Sequence, residues 1–231
     1  MVGHDVILRD MLIASGMLAL VAIGFVLGYR FWRGGNILLG AEWMILGFSA
    51  LNFAAWSLFR FELSFHLSMI CDAFSRSVGI PIVATLGLAK LTDGYDVSKA
   101  TKWLLLVGGF PLAYGLLSYP PIQTTLPYAF FVCGLIANIF LLYFSLRLAR
   151  VGERAHALAI LLVNISFVMM ALLEGIIAIP GDETNLVLNF FFLAGWVWAI
   201  GFAEIYFAYQ ALARHIAPQP LADDANSLPA I

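Results

Sequence analysis

The sequence is short of charge. Only 11% of its 231 residues are Asp, Glu, Lys or Arg, whereas 62% are hydrophobic. A soluble domain is about a quarter charged and could not cover its surface with so few polar groups. The solvent for most of this chain is therefore lipid, and the chain reads as an integral membrane protein. Lysine is scarcer still, confined to Lys90, Lys99 and Lys102. No basic stripe exists and the net charge is −2, so nothing here would attract nucleic acid. The two cysteines, Cys71 and Cys133, both fall in apolar runs. That excludes a disulfide framework or thiolate metal site and leaves them as small buried hydrophobes. The four histidines, His4, His66, His156 and His215, never stand three or four residues apart. Di-iron and bis-histidine haem chemistry need several histidines on facing helices, so no metal and no cofactor are expected.

What the chain has in quantity is long apolar runs. A hydrocarbon core of about 30 Å takes roughly 20 helical residues to cross. Seven runs of that order occur, at 10–29, 37–59, 63–89, 103–118, 126–146, 155–179 and 186–212. The breaks between them, such as "RFWRGGN", "KLTDGYDVSK" and "PGDETN", concentrate Gly, Pro, Asn and Asp as connections require. The expectation is an all-α integral membrane protein, a seven-transmembrane-helix bundle occupying 1–215 as one domain. Residues 216–231 lack apolar periodicity and read as a disordered cytoplasmic tail.

Positive residues fix the orientation. The connections after the first, third and fifth helices and the C-terminal end hold nine of the twelve Lys and Arg residues; Arg9 and Arg60 lie opposite, and Arg76 is inside a helix. An excess of Lys and Arg marks the cytoplasmic side. The N-terminus is thus expected outside and the C-terminus inside, in a plasma (inner) membrane. "GFVLG", from Gly24 to Gly28, is a small-xxx-small pattern that admits a close neighbour. It suits a helix within the bundle, or a dimer face in a homo-oligomer or larger membrane complex.

Ionisable groups inside lipid are costly, and each asks for a partner and a purpose. The third helix carries Asp72 and Arg76 one turn apart, hence on one face, with Ser68, Ser75 and Gly79 continuing the stripe. Pro81, lacking an N–H, is expected to kink this helix and to free the carbonyl of Ser77. Sorted by depth, Asp72, Arg76, Glu174 and Asn189 form an outer layer. Glu42 and Glu204 form an inner one, with Asn164 between them. No basic residue is expected in the inner layer, so its two carboxyls are expected to share a proton. Asn52 and Asn138 also sit within helices, where asparagine commonly ties one helix to another. Trp196 and Trp56 share faces with polar groups and are expected to line a cavity.

Two architectures are excluded on chemistry. Seven helices with an outside N-terminus are similar to the rhodopsins, but a retinal pigment needs a Schiff-base lysine in the last helix, where this chain has none. "NFAAW", Asn52 to Trp56, resembles the second-helix motif of small integral-membrane terpene cyclases. Ser57 stands where their acid would be, so that family is not assigned. Three functions survive. One is movement of a small polar or ionic solute, with proton linkage, through a polar layer built on the third helix. A second is a membrane-embedded enzyme using acidic residues on a lipid or isoprenoid. The third is an accessory or sensor subunit without chemistry of its own. The partners expected are the bilayer and a small-molecule or lipid-like ligand.

Overall fold

The computed structural model describes residues 2–182 and 185–216. The expected tail lies outside the described residues from 217 onward. Among the described residues the fold is all-helical, with seven helices long and apolar enough to cross a membrane. They are α1 (Val2–Arg33), α2 (Ile37–Phe59), α3 (Glu62–Thr92), α4 (Lys99–Ser118), α5 (Leu126–Arg150), α6 (Arg154–Gly175) and α7 (Phe190–Ile216). A one-turn helix, Pro120–Gln123, sits in the α4–α5 connection. Large apolar side chains such as Leu104, Ile139, Leu162 and Ile200 stay exposed on the bundle's outside. Only a hydrocarbon solvent makes that arrangement favourable. The chain is therefore a multipass membrane protein.

Local chemistry explains where the helices begin and end. Asn36 starts α2, its Oδ1 accepting from Leu39 N, and Arg60 ends it in the left-handed region at φ 57°. The sixth helix stops at Gly175, earlier than its apolar run implies, and the seventh starts later, at Phe190. The later start of the seventh traces to Asn189 and Asp182. Asn189 Oδ1 accepts from the N–H groups of Phe191 and Phe192, and Asp182 Oδ1 accepts from Phe190 N. These acceptors satisfy donors that a helix start leaves open, so the helix begins where its caps are rather than where apolarity begins.

Packing rests on small residues and rings. A Cβ on Gly24 would lie 2.6 Å from Gly47 Cα, and one on Gly28 would lie 3.0 Å from Gly40 O. The "GFVLG" face is thus consumed by α2 inside the bundle, where close backbone approach maximises dispersion contacts. Near the end that carries most Lys and Arg, here termed the basic end, rings form a column. Phe202 meets Trp43 at 5.0 Å, Trp43 meets Phe31 at 5.2 Å, and Phe31 meets Tyr209 at 5.1 Å, all edge to face. Trp43 Nε1 donates to Phe202 O, and Asn36 Nδ2 donates to Tyr209 Oη and to Gly87 O. The column therefore joins α1, α2 and α7, with Asn36 tying in α3.

Helix α3 is not α-helical throughout. Residues Ser75–Ala84, including Pro81, wind as a π-helix between two α segments. This replaces the simple proline kink. In an i→i+5 ladder the missing proline N–H falls opposite the carbonyl of Arg76, not that of Ser77. Hydroxyls support the wide turn at both ends, Ser77 Oγ donating to Ala73 O and Thr85 Oγ1 to Ile80 O.

Candidate functional site

The stripe on α3 meets α6 at Arg76. Its Nε lies 2.9 Å from Asp72 Oδ2, and its Nη2 pairs with Glu174 Oε1. The guanidinium also lies over the Phe130 ring of α5, 5.6 Å from its centroid. Three contacts from three helices hold one planar cation, which suits the fork geometry of arginine. Two carboxylates against one guanidinium leave a net charge of −1 when all three ionise.

This cluster opens into a cavity of about 370 Å³ enclosed by α2, α3, α4, α5, α6 and α7. Its polar lining is Asp72, Ser75, Arg76, Gln123, Asn138 and Glu174. The rest is apolar, with Phe130, Phe131, Phe167, Trp198 and Phe202 supplying the rings. Asn138 uses its Nδ2 on Gly134 O, and its Oδ1 is a buried acceptor with no partner. A pocket with an apolar body and a few convergent polar groups is the usual form of a small-molecule site. Among the described residues, no three His, Cys, Asp or Glu side chains gather as a metal site would require.

The other candidate residues separate from this cluster. Asn189 is the α7 cap, and its Nδ2 donates to Asp182 O. Trp196 is partly exposed and packs against Gly16 of α1, so Trp198 takes the cavity position instead. Trp56 is likewise outside the cavity, ringed by Phe53, Phe65 and the Arg60 guanidinium. Asn164 Nδ2 donates to Asn138 O and ties α6 to α5. Asn52 bonds within its own helix, to Phe48 O.

The expected inner pair of acids does not form. Glu204 Oε1 lies 2.8 Å from His156 Nδ1, so the inner layer does hold a basic residue. Glu42 instead stands alone, fully buried, against Gly79 of the π segment. The Ser75 hydroxyl lies near its carboxylate without reaching hydrogen-bond geometry.

At the basic end the α3–α4 connection is latched by charge. Asp96 bridges Lys102 and Lys90, and Lys90 Nζ also donates to Gly35 O. Those ammonium groups, Lys102 first, hold the Asp96 carboxyl below the usual carboxylate range. Asp93 is lowered too, by hydrogen bonds from Thr92 and Tyr143. Arg147 Nη2 donates to Thr92 O and fastens the same corner to α5.

No protein-family model, curated protein or solved structure matches the chain. The functional reading rests on the geometry above.

Proposed function

We propose that the protein transports an amphipathic cation through the bilayer, binding its apolar body in the cavity and its cationic head at Asp72, Arg76 and Glu174. The observation that carries this reading is the sign of the polar patch. Arg76 is already engaged by two carboxylates, so an incoming anion would have to displace one of them. A cation instead completes the charge balance, and the unpartnered Asn138 Oδ1 adds a further acceptor. In a low-dielectric cavity such complementarity strengthens, while the rings contribute cation–π attraction and apolar burial. The excess of Lys and Arg at the basic end supports placing that end in the cytoplasm of an inner membrane, with the N-terminus outside. The cavity then lies in the outer half.

The test uses purified protein in liposomes and two probes of equal chain length, an alkylammonium and an alkyl carboxylate. Quenching of tryptophan fluorescence reports binding, since Trp198 lines the cavity. The ammonium is expected to bind and the carboxylate not. Glu174→Gln and Asp72→Asn should each weaken binding about tenfold, near 1.4 kcal/mol. Uptake of the ammonium into the vesicles should fall in the same two acid variants. Equal binding of the carboxylate, or indifference to both acid variants, would overturn the reading. Recovery of a chemically altered probe would point to catalysis.

A further inference from the structure

Glu42 is 0% exposed, and neither of its carboxylate oxygens has a hydrogen-bond partner. The groups that the structure places beside it lie on α3. Helix α3 presents the Cys71 thiol, the Ser75 hydroxyl and Gly79. Its own helix packs on α1 through Gly24 and Gly28, which carry no charge. Arg76, the cation nearest in sequence to these α3 groups, is engaged by Asp72 and Glu174. Lys90 and Lys102 are engaged by Asp96, and His156 by Glu204. An ionised carboxylate buried without a cation is among the most expensive groups a protein can hold, and it neutralises instead.

The place is built for this side chain. Gly79 has no Cβ, and a Cβ there would collide with both carboxylate oxygens and Cδ of Glu42. The π turn carries Gly79 and the neighbouring Ser75, and π segments inside transmembrane helices recur at functional sites. Ser75 Oγ is itself buried and unpartnered, yet the same residue lines the cavity. One residue, Ser75, therefore touches both the cavity and the surroundings of the buried acid.

We propose that Glu42 is a proton-binding site that exchanges its proton with the cavity through the Ser75 hydroxyl. In the release step the carboxyl O–H bond breaks and Ser75 Oγ takes that proton. Ser75 in turn gives its own proton to a cavity water, leaving Glu42 as carboxylate and the water as hydronium. Uptake is the reverse. Under the transport reading, on which this role as coupling group rests, a cation entering the cavity favours the ionised Glu42 and a departing cation favours the acid. The exchange is then one cation against one proton. The site itself stands on Glu42, Ser75 and Gly79 alone.

Infrared difference spectra of the protein in liposomes, taken between neutral and alkaline pH, test it. A carboxylic C=O band is expected at neutral pH, shifted in D₂O and bleached at alkaline pH. It should be lost in Glu42→Gln and kept in Asp72→Asn and Glu174→Gln. Ser75→Ala should shift its frequency and slow its exchange into D₂O. Absence of the band, its survival in Glu42→Gln, or its removal by added sodium at constant pH would overturn the proposal, the last by showing a metal-cation site. Should Glu42→Gln fail to accumulate, Ser75→Ala decides, because an unmoved band with unchanged exchange places the proton elsewhere. Loss of alkylammonium binding with the band intact would remove the proposed ligand and leave the proton site standing.

Discussion

Arg76 of α3 reaches Glu174 of α6 while keeping Asp72 on its own helix, so one guanidinium closes the bundle across two helices. Removing it as Arg76→Ala leaves two carboxylates facing each other in a low-dielectric site. The three side chains are part-buried, so the expected loss is ~1–2 kcal/mol, below the scale for breaking a fully buried pair from one side. Arg76→Lys restores the charge without the fork and should recover only part of it. Glu174→Gln should be milder, since Asp72 still balances the cation. Thermal unfolding in detergent would rank the three, and equal stability of Arg76→Ala and wild type would show that the cluster braces nothing.

Gly79 and Glu42 compete for one volume. Gly79→Ala should destabilise by about 1–3 kcal/mol, the range for forcing an extra methyl into a packed core. Combined with Glu42→Ala it should cost less than the sum of the two single changes. A double-mutant cycle measures that coupling. Strict additivity would mean the two side chains do not meet.

Asn189 acts as a cap. Asn189→Ala should cost about 1 kcal/mol, as loss of an N-cap acceptor does, and Asn189→Asp should retain most of the stability. Neither should alter alkylammonium binding, because this residue lies outside the cavity. A binding defect in Asn189→Asp at full stability would return it to the site.

The α3–α4 connection should loosen in acid. Asp96 and Asp93 have carboxyls lowered in the folded protein. Groups lowered on folding stabilise above their unfolded value, about 4, and lose that contribution as pH falls through the lower folded value. Amide exchange across 92–98 should be flat from neutral pH down to about 5 and rise below about 4, after correction for intrinsic rates. Asp96→Asn should show the fast exchange already at neutral pH.

Much of this was legible in the sequence, for identifiable reasons. Helix α2 spans 37–59 as its apolar run implies, because Asn36 and Arg60 mark both ends chemically. Asp72 and Arg76 could be paired from spacing alone, and Glu174 joined them by depth. Spacing does not reveal which face of an apolar helix meets which neighbour. Trp196 and Trp198 lie on different faces of α7, and in a helix apolar all round only the packing chooses between them. The π segment was hidden for a related reason: Pro81 announces a disturbance, but spacing does not say whether the helix answers with a kink or with a wider turn. His156 carries a visible signal, an ionisable ring within a turn of the α6 start, on the basic half of the bundle where Glu204 also lies.

Phe202 gives the cavity its floor, and the same ring is the first of the column that runs through Trp43 and Phe31 to Tyr209 and Asn36. Under the proposed transport, the cavity is a vestibule whose deeper end these rings close. A solute moving deeper meets successive rings at edge-to-face contact, each contact worth roughly 1 kcal/mol beyond its burial. On that reading, passage would require this column to part where Phe202 and Tyr209 of α7 meet Trp43 of α2 and Phe31 of α1.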